Sequence, residues 1–227
     1  MPNQLSHVRI AVHPKVYVKD PLSSELGEQI LTTSLQMIDE LGLEQFTFRK
    51  LAARIGTTES AVYRYFENKH KLLLYYMTWY WGWLEYQLAF GTVNINDASE
   101  RLERAIRIIT APSRIGVNQL FDEDLLMRVV VAESPKAYLT KQVDDENKEG
   151  FFIGLKQVAS RVSDMIKEVA PKYPNAKSLS SLVLQSHLDE RFFHEHLPSL
   201  SDTKNDADNM CRFFSDLIFN TIKPWSK

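Results

Sequence analysis

Apolar residues recur at helical spacing along almost the whole chain. Leu26, Ile30, Met37, Ile38 and Leu41 mark one face of a first helix. Pro21 announces it, Ser23 and Ser24 are its N-cap candidates, and Glu25 and Glu28 fall in the first turn, where the helix dipole favours acids. Gly42 predicts a left-handed stop. Thr47 predicts the cap of a second helix, with Phe46 and Leu51 at the spacing of a hydrophobic staple and Leu51, Ala52 and Ile55 as its buried stripe. Gly56 ends that helix after barely two turns, because a left-handed residue lets the chain turn sharply without a side-chain clash. Thr58 caps a third helix that begins Glu59, Ser60, Ala61; Val62 and Phe66 face inward, which leaves Tyr63, Arg64 and, at the edge, Tyr65 on or near the outer face. Asn68 caps a fourth helix over 69–89, with Lys69 in its first turn, where a cation and backbone N–H groups together can hold a phosphate.

That fourth helix is aromatic on all sides (Tyr75, Tyr76, Trp79, Tyr80, Trp81, Trp83, Tyr86), and a helix apolar all round is buried on more than one face. After 91–96 the pattern predicts helices over 97–109, 121–133, 144–170, 176–196 and 207–222, with breaks at 112–116, 134–135, 171–174 and 198–204. No strand pattern emerges, so the expected fold is all-α. Residues 1–21 lack helical periodicity and read as an extended arm, mildly basic through Arg9, Lys15 and Lys19, and expected to lie loose or on its own domain rather than on DNA. The domain division is then an arm at 1–21, a three-helix domain with helix-turn-helix spacing at 22–74, and a helical domain at 75–227.

Composition narrows the function. With 44% hydrophobic and 25% charged residues in a chain of 227, the balance is that of a globular protein with a real core. The single cysteine, Cys211, excludes an internal disulfide, and neither a long apolar run nor a leader pattern is present, so a cytoplasmic protein without membrane contact is expected. A formal net charge of -2 argues against a general polyanion binder, but Arg49, Lys50, Arg54, Arg64, Lys69 and Lys71 face only Glu59 and Glu67 between Thr47 and Lys71. The basic charge lies on the helix-turn-helix.

Residues 24–75 resemble the TetR family of bacterial transcriptional regulators. The resemblance rests on Thr47, Arg49, Leu51-Ala52, Gly56, the six-residue gap to Val62-Tyr63, Tyr65-Phe66, and Lys69 followed by Leu72-Leu73. It implies an all-helical homodimer whose C-terminal domain dimerises and holds a small-molecule inducer. Thr47, Tyr63, Tyr65 and Lys69 fall on the family's backbone-contacting places, while Arg49, Glu59, Ser60, Ala61 and Arg64 fall where side chains reach base edges, with Thr58 at the head of the same turn. Two features depart from the family pattern: the long arm, and Glu59, whose carboxylate either accepts from a cytosine amino group or only complements the helix dipole. The function implied is a one-component repressor that binds a palindromic double-stranded operator, its two readers about 34–36 Å apart.

The last two helices carry more apolar surface than one partner helix covers. Leu179, Leu182, Val183, Ser186 and Phe193 on one, with Met210, Phe213, Phe214, Leu217 and Ile218 on the other, are the expected homodimer interface. Tyr80, Trp83, Phe121, Phe151 and Phe152 are the ligand candidates, which suggests a largely apolar or aromatic effector. Control by a protein partner instead of a small molecule is the alternative. A rival reading is a metal site on His187 and His194, seven residues apart on one helix face, but the four-residue spacing of a zinc helix is absent and solvated or interface histidines are expected. No nucleophile-base signature or Gly-rich phosphate loop occurs, so no catalytic residue, metal or cofactor is expected.

Overall fold

The computed structural model describes residues 10–111, 121–203 and 206–226, and these form α-helices and short 3-10 turns, with no strand among the described residues. The chain divides into two compact units. The first comprises Met1–Gly82 and Arg114–Ile153, the second Trp83–Ser113 and Gly154–Lys227.

In the first unit, α1 (Glu25–Gln45) starts on Ser24, whose hydroxyl accepts the Gly27 N–H at 3.3 Å. Gly42 is left-handed in φ (72°), as expected, but with ψ at 155° it breaks the helix internally, and a further turn follows to Gln45. Thr47 caps α2 (Phe48–Ile55) by accepting from Lys50 N–H at 3.2 Å, and Gly56 closes it at φ 80°, ψ 33° with its N–H on the Ala52 carbonyl. Thr58 caps α3 (Glu59–Tyr63) through the Ala61 N–H. Asn68 caps α4 (Lys69–Thr92) through the Lys71 N–H at 2.9 Å. The staple and stripe residues Phe46, Leu51, Val62 and Phe66 are all completely buried, and at about 1.5–3 kcal/mol each they supply much of what holds three short helices together. Phe66 and Tyr75 meet edge to face at 5.6 Å, which ties the reader to the start of α4.

Residues 10–21, the described part of the arm, pack against the rest of the unit. Val16 is buried, the Tyr17 ring lies 6.2 Å from Tyr75, and the Val18 N–H donates to the Tyr65 carbonyl at 2.8 Å. A 3-10 turn at Pro14–Val16 precedes a second at Pro21–Ser23, which Asp20 caps and which packs against α1. There Gly27 admits the Pro21 carbonyl so closely that a Cβ would stand 2.1 Å from its oxygen. Gly27→Ala is therefore expected to lower stability by about 1–3 kcal/mol, the range of core overpacking, despite alanine's better helix propensity. Urea unfolding checks this; an unchanged or raised midpoint would mean that the arm does not pack as described.

Two expected boundaries are corrected. The break at 134–135 does not occur: α6 (Glu123–Tyr138) runs through Pro135, which lies close enough to the end to forfeit a single ladder bond, and the last turn still closes by Leu139 N–H on the Pro135 carbonyl. The helix expected over 144–170 is two, α7 (Val143–Glu149) and α8 (Ile153–Val169), because Gly150 at φ 91° terminates α7. The break expected at 112–116 lies outside the described residues.

In the second unit, α5 (Ala98–Thr110), α9 (Ala176–His196) and α10 (Ala207–Ile222) pack mutually around Leu102, Ile106, Val183, Met210, Phe214 and Ile218. Arg107 of α5 pairs with Asp208 of α10 at 2.7 Å, and the Ser180 hydroxyl of α9 donates to the Ala159 carbonyl of α8 at 2.8 Å. Both helix ranges of this pair, 176–196 and 207–222, are those the hydrophobic spacing predicts.

Candidate nucleic-acid interface

The turn between α2 and α3 places Thr47, Arg49, Thr58, Glu59, Ser60, Tyr63 and Arg64 at the surface of the first unit. The apolar stripes of the two helices do this: Leu51, Ala52, Ala61 and Val62 turn inward, and what remains must turn out. Tyr63 keeps its ring edge-on to Phe48 at 5.1 Å while remaining 48% exposed, so it is held in place yet accessible. Glu44 lies 3.5 Å from Lys136, and Arg54 takes Glu40 at 2.7 Å, so neither acid is paired with Arg49. Glu59 occupies the first turn of α3, where its charge complements the dipole.

Three expected contact residues sit differently. Ala61 is buried, which removes it from any base edge and makes it a packing residue. Tyr65 is only 4% exposed; its hydroxyl lies 2.7 Å from Ser24 Oγ and 3.3 Å from Lys19 Nζ. The Ser24 hydrogen bond, with Lys19 assisting, holds the phenol below its ordinary pKa. It ties the arm, the start of α1 and the end of α3 together through Lys19 and Ser24, contacts that no helical spacing reveals. Lys69 donates to the carbonyls of Leu43 at 2.8 Å and Glu44 at 3.0 Å, closing the turn that Gly42 opens. Its ammonium is thus spent on the end of α1. Lys69→Met is expected to lower the stability of the reader by about 1–3 kcal/mol, the range for stranding acceptors of a charged donor, and a variant with native thermal stability would return Lys69 to a phosphate-only role.

The remaining candidates are also sorted by burial. On α9 and α10, Leu182 and Phe213 are exposed at 55% and 47%, and Ser186, Phe193 and Leu217 are half-buried. Leu179, Val183, Met210, Phe214 and Ile218 are buried within their own unit, on the opposite stripe, and belong to the core rather than to a surface. The proposed ligand rings are likewise packed. Phe121 stands 5.7 Å from Tyr76 and 5.2 Å from Trp79, Tyr80 stands 4.9 Å from Trp81, Phe152 stands 5.5 Å from Tyr138, and Phe151 carries Lys71 Nζ 4.0 Å above its ring. Trp83 is buried in the second unit. A cleft of about 500 Å³ in that unit is lined instead by Glu85, Arg101, Arg161, Asp164 and Glu168 beside Ala89, Val93 and Met165. No aromatic ring is among the residues that line this cleft.

His187 is completely buried, and its pKa falls from 6.5 to about 3, chiefly through burial and secondarily through the charge of Arg191. No group of three or more His, Cys, Asp or Glu residues among the described residues is placed to hold a metal ion, and no helix there is long and apolar enough to cross a membrane.

Comparison with known proteins agrees with the reader. The sequence profile of "Bacterial regulatory proteins, tetR family" matches residues 30–76. The tetracycline repressor protein class C of Escherichia coli is 39% identical over 46 residues, 20% of this chain and 21% of that one. The nucleoid occlusion factor SlmA of Haemophilus influenzae is 41% identical over 49 residues, 21% of this chain and 22% of that one. The match thus spans only about a fifth of these relatives. Over most of the chain the fold is shared with AibR, solved with isovaleryl coenzyme A and operator DNA (TM-score 0.59, 15% identity, 84% of this chain and 96% of that one). It is shared also with PfmR of Thermus thermophilus, a TetR family transcriptional regulator (TM-score 0.57, 15% identity, 84% and 97%). Residues 30–76 thus match the helix-turn-helix domain of the TetR family of bacterial regulatory proteins.

Proposed function

We propose that the chain is a one-component transcriptional repressor of the cytoplasm, binding a palindromic operator as a homodimer and released by a small molecule. The observation that carries the reading is the cluster of Arg49, Ser60, Tyr63 and Arg64 exposed on two short capped helices and the residue that ends the second, above an apolar core that holds their spacing. In this reading α3 enters the major groove by its first turn, base-edge bonds discriminate by about 1–3 kcal/mol each, and phosphate contacts give salt-dependent affinity. Residues 22–74 act as the reader and 75–227 as the pairing and effector part. The exposed edge of α9 and α10, Leu182 and Phe213 with Leu217, supplies the pairing surface. An effector that changes the separation of the two readers by a few Å weakens operator binding, and this is the regulatory step. The role is regulatory, not catalytic.

Selection from random duplex DNA tests it. A palindrome with half-sites about one helical turn apart is the expected product; recovery of no sequence, or of an unpaired half-site by a monomeric protein, would refute the reading.

A further inference from the structure

α6 presents to α1 a carboxylate with no part in the reading above. Glu133 is 4% exposed, and its Oε1 accepts the N–H of Leu43 at 2.9 Å. That N–H needs an outside acceptor because Gly42, at φ 72° and ψ 155°, breaks the α1 ladder immediately before it. Lys136, one turn on, lies 2.8 Å from the second Glu133 oxygen and 3.5 Å from Glu44. Earlier on the same helix, Arg128 grips Asp39 through two bonds of 2.9 Å. α6 therefore holds α1 on both sides of its break, while Lys69 takes the carbonyls of the same turn. The next element is Thr47, the cap of α2, with Arg49 two residues beyond. The direction in which α2 leaves is set at the joint that Glu133 holds.

We propose that Glu133 is a positioning residue for operator recognition: it fixes the broken turn at Gly42 and Leu43, and so the angle at which α2 and α3 meet DNA. The proposal rests on the operator-binding reading. It separates Glu133 from a residue that only stabilises the fold. Loss of positioning removes the register needed for base contacts, whereas non-specific phosphate contacts tolerate a changed angle.

Three variants of the full chain test it. E133L removes the acceptor, E133Q keeps an equivalent oxygen, and E133D keeps the charge but shortens the reach. Amide exchange at Leu43 and binding to two duplexes, the palindrome selected by the native protein and a random sequence of equal length, are measured at one salt concentration. E133L and E133D are expected to lose Leu43 protection and to bind the palindrome at least about 10-fold more weakly, the loss of one good base contact per dimer or more, with random-duplex binding unchanged; E133Q retains native behaviour in all three. Native palindrome affinity in E133D with Leu43 unprotected overturns the proposal, as does an equal loss on both duplexes. E133D also decides the matter if E133L does not fold. A native protein that selects no palindrome overturns the underlying reading, a failure recognised by Leu43 exchange that still responds to E133D.

Discussion

Replacing Arg49 with alanine is expected to weaken binding to the selected palindrome by about 1–3 kcal/mol per half-site, on the order of 10-fold to 100-fold each, and roughly the square of that for a symmetric dimer. The side chain is exposed on a two-turn helix whose cap and stripe it does not touch, so the fold should be indifferent within about 0.5 kcal/mol. Tyr63 calls for a more careful substitution. Its ring leans on Phe48 at 5.1 Å, and Tyr63→Ala would surrender that contact together with the hydroxyl. Tyr63→Phe keeps the ring and removes only the donor, so its loss of affinity, about 1 kcal/mol per half-site, isolates the contact. A gel-shift titration at two salt concentrations distinguishes the roles. A base contact changes the preference for the palindrome over random DNA, while a phosphate contact lowers both and reduces the salt slope by about one per contact. Native affinity in both Arg49→Ala and Tyr63→Phe would mean that the exposed face of α2 and α3 is not the docking face.

The local chemistry of the reader is legible in the sequence because its signals are short-range. Thr47, Gly56 and Thr58 act within three or four residues of themselves, and each forms the cap its identity predicts. Signals that depend on a distant partner are not legible. Lys69 has the sequence position of a phosphate ligand, yet carbonyls of α1 lie within its reach. Tyr65 has the position of an outward residue, yet Ser24 and the arm close over it. Pro135 shows the limit from another side, since a proline breaks a helix only where the turns beyond it matter. On α9 and α10 the breadth of the apolar surface is plain from spacing, but one stripe of it, Val183, Met210, Phe214 and Ile218, is consumed by the unit's own core. Hydrophobic periodicity counts faces; it does not say which face meets which partner.

Stability is expected to fall as pH drops below 6.5, and His187 is the reason. Burial above all, with the positive charge of Arg191 second, lowers its pKa to about 3, while hydrogen bonds with the backbone of Val183 and Leu184 oppose the shift. The unfolded imidazole takes up its proton through about 6.5; the folded one does not until about 3. Between those values the unfolded state binds more protons, so the contribution is complete above pH 6.5 and is lost progressively toward pH 3, at about 1.4 kcal/mol per pH unit. By pH 5 the loss amounts to about 2 kcal/mol, a large part of a typical domain's margin. Carboxylates held low, such as Glu149 beside Lys15, act in the same direction but are exposed and screened, and their window lies at lower pH. His187→Gln separates the two effects, since glutamine fills similar space and does not titrate. At pH 7 the variant should be the less stable, through imperfect packing in the fully buried site. As pH falls to 5 that gap should narrow by about 2 kcal/mol as the native protein alone loses ground. Urea unfolding at pH 7, 6 and 5 measures the gap directly. A gap that stays constant would show that His187 titrates normally in the folded chain, and that the α9 core admits its charge.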